Sequence, residues 1–397
     1  MFTLLISLAL AGSDADITTG VVLSQQGDHA QAIEKLQKGL EDPSQLKAKN
    51  VAKGWLTLST SLLHEARVEE SAQALRKARE ADDGKLAKAI ERQADVLANA
   101  ALRGALGLIQ EAQRAAAPAD QVLLLETAER LASIAAEQGA TRAMALDLRA
   151  QARDQLGRKD EAAADFAAVL DLHESSPPEK PDLLVAYAAY RLALIQRYER
   201  EDLVASLATI QRGQALLEKE WQRLGQDDQY AELYTAARED LKAFELDIYL
   251  NSPDLLETAL KKFEAAVAEE PDNAVLLLAY GQLLEQKEAG LAIPVYVKAI
   301  ELGGATEHMA NFNLAAIYVN RAAEFSKAAN LATSDAEYLP AVEGMQLAMA
   351  QAKPFLDRAH ELEPQDRETL RALKQVCINL EDMACYEEAR SKLDALP

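Results

Sequence analysis

The chain has 397 residues, more than one compact core ordinarily holds, and pairs 49% hydrophobic residues with only 5% aromatics, so it requires either several globular domains or a repeat array. Sixty-four acidic against 42 basic residues leave a formal charge of −22; that field repels a phosphate backbone, argues against nucleic acid, and favours solubility and attraction to a basic partner. Runs of Val, Ile and Thr that would make strands are nearly absent, so the expected class is all-α.

Residues 1–12 carry a short apolar run closing on Ala9-Leu10-Ala11, the small-x-small pattern of a cleavage site, and read as a secretory signal peptide. Export, with the periplasm as the expected compartment, follows from that reading; a cytoplasmic location is the alternative, because no basic residue precedes Lys35. No Cys follows the cleavage site to carry a lipid, and no other apolar run is long enough to span a bilayer. The first hairpin starts near Ser13, turns at Gly27-Asp28, and continues through Ala32, Leu36 and Gly39 to Pro43. The second carries Trp55-x2-Leu58-Ser59-x2-Leu62 on one helix and Ser71-x3-Leu75-x2-Ala78 on the next. Small residues at Ser59, Ser71 and Ala78 let the two helices approach closely, while the larger side chains fill the space between them.

This spacing resembles the tetratricopeptide repeat family, whose pattern is W-x2-L-G-x2-Y, then A-x3-F, then P. The resemblance implies helical hairpins stacked into a right-handed superhelical solenoid, whose first helices line a concave face that binds protein or peptide. The pattern is weak over 85–137, where Ala105-x3-Ile109-x2-Ala112 is the clearest trace of a second helix. It returns with Ala150, the turn Gly157-Arg158-Lys159-Asp160, Ala162 and Phe166. Ser175-Ser-Pro-Pro-Glu-Lys-Pro181 cannot continue a helix, so the chain is expected to divide there into a solenoid over 13–174 and a second over 182–397, joined by a linker at 175–181. Three long helical segments fill 182–250. Ala259-x3-Phe263-x2-Ala266-x4-Pro271 then opens a regular series, copied by Ala352-x3-Leu356-x2-Ala359-x4-Pro364. Between them lie Leu277, Gly281, Leu284, Ala292, Tyr296, Ala299, Leu314, Ala315 and Tyr318; Leu370, Leu373, Cys377, Tyr386 and Ala389 close the series.

The penultimate repeat is longer than the family pattern by about one extra helical hairpin, at about 321–351. Leu314, Tyr318, Ala322, Phe325, Ala329 and Ala332 step by fours and threes, as do Tyr338, Val342, Met345, Met349, Ala352 and Leu356, which predicts an antiparallel seam with a turn at Thr333-Ser334-Asp335. Either the seam closes on itself, or Met345 and Met349 add a docking surface. Pro354 is expected to kink the returning helix.

Nothing in the sequence carries a recognisable chemistry. His29, His64, His173, His308 and His360 are scattered singly without metal-ligand spacing and read as surface or groove residues. No Gly-x-Ser-x-Gly elbow, phosphate loop or calcium loop occurs, so no catalytic residue, metal or cofactor is expected and the chain does not read as an enzyme. Cys377 and Cys385, the only two cysteines, flank the final bend; they either form a disulfide in an oxidising compartment or pack as two thiols. The family resemblance implies a peptide-binding face built from Phe244, Leu278, Gln282, Met309, Phe312, Asn313, Ala316, Asn320, Arg371 and Gln375, with Asn313 where some family members grip a peptide backbone. The expected function is a non-catalytic protein-interaction scaffold. The alternatives are a homo-oligomerising component of a cell-envelope assembly and a ligand-capture or enzyme-accessory module.

Overall fold

A computed structural model describes residues 2–138, 142–224 and 228–396, without the side chains of 2–13, Gln45 and Asp228. Among the described residues there is no strand, and 18 α-helices follow one another. They are α1 (Phe2–Gln25) and α2 (His29–Gly39), α3 (Ala48–His64) and α4 (Val68–Ala81), α5 (Ala87–Ala112) and α6 (Pro118–Ala136), α7 (Arg142–Gln155) and α8 (Lys159–Ser175), α9 (Leu184–Tyr198) and α10 (Leu203–Arg223). After α11 (Asp228–Leu250) come α12 (Leu256–Glu269), α13 (Ala274–Lys287) and α14 (Ala289–Leu302), α15 (Glu307–Leu331) and α16 (Asp335–Leu362), and α17 (Arg367–Asn379) and α18 (Met383–Asp394). The leader expected over 1–12 falls on residue 1 and on side chains outside the described set.

One turn is used repeatedly to fold a helix back on its predecessor. At Gly27, Ala66, Gly157 and Glu381 the backbone enters the left-handed region, with φ of 86°, 58°, 77° and 57°. The next residue then donates its N–H to the carbonyl five residues upstream: Asp28 to Leu23 at 3.0 Å, Arg67 to Leu62 at 2.9 Å, Arg158 to Arg153 at 2.8 Å and Asp382 to Cys377 at 2.9 Å. This is the helix-closing arrangement that satisfies the last carbonyls of one helix and aims the chain into the next. Glycine takes the conformation without steric penalty, whereas Ala66 and Glu381 bear one. Asp28 and Asp382 also cap the following helix, accepting from Gln31 N at 3.2 Å and Cys385 N at 3.1 Å.

In the α3–α4 and α13–α14 hairpins the small residues do what their spacing predicts. Ser71 Oγ donates to the Ser59 carbonyl at 2.7 Å and lies 3.0 Å from Ser59 Oγ, drawing α3 and α4 together over buried Leu58, Leu62 and Leu75. A Cβ on Gly281 would stand 2.4 Å from the buried Tyr296 ring, so only glycine lets α13 and α14 pack as they do.

The packing separates into two units, 1–244 and 245–397, with the division inside α11. The expected division at 175–181 is not where the contacts part. Prolines do break the helix there, but α8 packs against α9 across them, and charges hold the flanks together. Arg212 reaches back from α10 to Asp171 at 2.8 Å and Glu174 at 2.6 Å. Arg191 of α9 likewise pairs across the break with the buried Asp154 of α7, while upstream of it Arg153 joins Glu129 of α6 at 2.9 Å to Asp165 of α8 at 2.8 Å. The helix break is local, whereas the packing of α8 on α9 and these paired charges run across it.

In the second unit, α15 and α16 are 25 and 28 residues long, against 14 for α13 and α14. They form the predicted long hairpin, turning at residues 332–334. Its base belongs to the core: Ala322, Ala348 and Met349 are buried in one cluster with Leu356, Leu373 and Cys377. The Phe325 ring lies so close to the Gly344 backbone that a Cβ there would stand 2.7 Å from it. Met349 is therefore a packing residue, and Met345 lies half-buried against the same cluster, so of the two alternatives the packing favours the seam that closes on itself. Helix α16 continues without interruption through both Pro340 and Pro354.

Candidate functional site

Among the described residues a groove of about 730 Å³ lies in the first unit, between α3 and α5. It arises from the composition of α5, a 26-residue helix with two unlike faces. Ile90, Ala94, Leu97, Ala101, Ala105, Ile109 and Ala112 repeat at helical spacing and are buried in the core. On the other side Val96, Ala100, Gly104 and Gly107 line the groove, and three of those four are too small to fill it. Gly104 is crossed by Leu131 of α6, which a Cβ would meet at 2.8 Å, whereas a Cβ on Gly107 would meet nothing within 4 Å. Glycine inside a helix costs about 1 kcal/mol relative to alanine. Nothing in the packing offsets that at Gly107, so the backbone there is left bare to the groove.

The walls are supplied by Thr60, Leu63 and His64 from α3, the Ala66 turn, Val68 at the start of α4, and Gln93. Gln93 is held on both sides: Thr60 Oγ1 donates to its Oε1 at 3.2 Å, and its Nε2 donates to Ser59 Oγ at 3.3 Å. This chain of side chains fixes α5 against the α3–α4 hairpin. Leu108 and the exposed Val96 present apolar surface, while Arg103 and Glu111 stand at the rim with opposite charges. His64 is exposed and stacks on His29 with ring centroids 4.0 Å apart. The lining thus mixes apolar platforms, one amide and balanced charge, a composition suited to a peptide segment.

The ten residues expected to line the binding face are placed differently from one another. Phe244 is a core residue of the first unit, 7% exposed, under Tyr190 at 5.1 Å between ring centroids and beneath the Arg197 guanidinium, because α11 turns that position inward. Leu278 and Phe312 are half-buried against hydrophobic clusters, and Gln282 and Ala316 are half-buried on α13 and α15. Asn313 turns its amide inward and donates to Tyr296 Oη at 3.4 Å; Tyr296 in turn donates to Glu285. Burial raises the Glu285 carboxyl above the usual carboxylate range. Met309, Asn320, Arg371 and Gln375 are exposed on α15 and α17, which touch, but Arg371 is already paired with Glu368.

Cys377 and Cys385 are joined as a disulfide with their Cα atoms 5.8 Å apart, within the range such bonds span. Two histidines depart from the expected surface placement. His308 is buried, with Nε2 3.2 Å from Thr369 Oγ1, and His173 is buried beside Glu220.

No family model and no curated protein matches the chain. Among solved structures it is similar to Naa15/Naa10 bound to HypK-THB, at 14% identity and a TM-score of 0.28, covering 96% of this chain and 59% of that one. It is also similar to the C-terminal part of a TPR repeat-containing protein from Cytophaga hutchinsonii, at 13% identity, coverage of 90% and 99%, and a TM-score of 0.27. The P58(IPK) TPR domain is similar at 16% identity, coverage of 94% and 99%, and a TM-score of 0.26. The chain thus spans less than two thirds of the first of these structures. By its own helices the chain is, over the described residues, an all-α array of helical hairpins.

Proposed function

We propose that this chain is a protein-interaction scaffold, without chemistry of its own, that takes a segment of another protein in the groove between α3 and α5. The observation that carries the reading is the floor of α5, where Gly107 leaves helix backbone bare in a groove of about 730 Å³ that no side chain of the described residues fills. A helix that forgoes a favourable alanine to keep open space invests stability in access. The balanced lining charge selects a partner segment by shape and apolar contact, while the overall −22 charge favours encounter with a basic protein. The test is a photo-crosslinking amino acid placed at Val96 or at Gly107, with Glu80 on the exposed face of α4 as control. Discrete adducts with one protein from Val96 and Gly107 but not from Glu80 support the reading; equal labelling from all three positions contradicts it.

The tip of the long hairpin favours a second reading, assembly with further copies, because Leu331 and Leu339 are 70% and 57% exposed beside the turn. Light scattering at rising concentration tests it, and a strict monomer rules it out.

A further inference from the structure

At the break between α8 and α9 three segments bring metal-binding groups to one point. His173 lies in the last turn of α8, Asp182 follows the proline-rich segment, and Glu220 lies in the last turn of α10. His173 Nε2 is 3.0 Å from Glu220 Oε2 and 3.4 Å from Asp182 Oδ1, and one ligand atom from each lies within 4.8 Å of the other two. His173 and Glu220 are 5% and 3% exposed. We propose that His173, Asp182 and Glu220 form a divalent-cation site of the zinc class, which clamps the proline-rich segment onto the first unit.

Three features of the geometry carry this. Tetrahedral zinc with bonds of about 2.0–2.1 Å to nitrogen and oxygen sets its ligands about 3.3–3.4 Å apart, and the two observed separations lie within a few tenths of an ångström of that edge. The imidazole nitrogen faces two carboxylates at once; a single N–H points well at one of them, whereas a metal ion satisfies all three groups together. A neutral imidazole, two carboxylates and a divalent ion also sum to zero charge in a buried place, the balance that a low-dielectric site favours. Tyr234 of α11 donates its hydroxyl to Glu220, the outer support that fixes a ligating carboxylate. The Asp182 side chain is 25% exposed, which leaves a route for the ion and a place for water as fourth ligand. No spacing rule reveals the site, because its ligands come from three segments, with His173 and Glu220 47 positions apart.

The test uses the full chain, stripped by chelator and titrated with cobalt(II), whose visible bands report tetrahedral coordination. The expected result is a saturable tetrahedral spectrum at a single equivalent, lost in His173→Ala and in Glu220→Gln, and unchanged in His29→Ala. Zinc(II) is expected to displace the cobalt and to raise the thermal midpoint of the parent chain but not of Glu220→Gln. Tyr234→Phe should weaken cobalt binding about 10- to 100-fold. Circular dichroism checks that each variant keeps its helices, and the near-isosteric Glu220→Gln decides the matter should His173→Ala fail to fold. Absence of a tetrahedral spectrum in the parent chain, or an identical spectrum in folded Glu220→Gln, overturns the proposal.

Discussion

Replacing Asp147 by asparagine should stabilise the first unit at neutral pH and leave it unchanged in acid. Asp147 sits in α7, 4% exposed; its Oδ2 accepts from Gln151 at 2.8 Å, while its buried Oδ1 has no hydrogen-bond partner. Burial pushes its carboxyl from 3.8 to about 6, against the opposing pull of Gln151 and Arg191. The folded chain therefore holds this proton more tightly than the unfolded chain does. Below about pH 4 both states are protonated, and the residue costs little. As pH rises through 6 the folded state must bury a carboxylate, and stability falls by about 3 kcal/mol, at 1.36 kcal/mol per pH unit. Asparagine keeps the acceptor for Gln151 and removes the charge, so Asp147→Asn should recover up to about that amount at pH 8 and little at pH 4. Trp55 and Trp221 are the only tryptophans, and both lie in the first unit, so urea unfolding followed by tryptophan fluorescence reads the relevant packing alone. A variant that is less stable than the parent at pH 8, or that gains equally at both pH values, would refute the reasoning.

The shared turn makes a second prediction: Ala66→Gly should stabilise by about 0.4–1 kcal/mol and Gly27→Ala should destabilise by about 1 kcal/mol, because φ is 58° and 86° at these positions. Denaturant midpoints of the two variants check the opposite signs. In the long hairpin, Met349→Ala should cost about 2–5 kcal/mol and Leu347→Ala less than about 0.5 kcal/mol, since these residues are 3% and 63% exposed; thermal unfolding by circular dichroism compares them. Thiol labelling of protein isolated from its native host without reductant should find neither Cys377 nor Cys385 free, and two labelled thiols would contradict the disulfide.

The architecture was legible wherever one residue type has one structural use. Gly27 and Gly157 announced their turns, Ser59 and Ser71 their close helix pair, and the fours and threes from Leu314 and from Tyr338 their long hairpin. The same reasoning lost its grip where alanine dominates. Ala105, Ile109 and Ala112 carry second-helix spacing yet lie on α5, the first helix of its hairpin, because an alanine-rich helix packs on several faces with nearly the same pattern. The groove was missed for a related reason: Ala100, Gly104 and Gly107 define it by absence of side chain, which hydrophobic periodicity does not register. Prolines at 177–181 were read as a boundary, since their effect on a helix is local and visible, whereas Arg212 and Arg191 bridge that region to carboxylates far back along the chain. His173 was misread for the same cause, its partners being supplied by the fold rather than by neighbouring residues.

The most direct test of the scaffold reading is calorimetric titration with the partner segment recovered from the Val96 or Gly107 adducts, made as a synthetic peptide. The account predicts saturable binding to the full chain, lost in Val96→Arg, which puts a charge on a side chain already 54% exposed and so leaves the fold intact. Binding that survives Val96→Arg unchanged would contradict the assignment of the α3–α5 groove as the site of recognition.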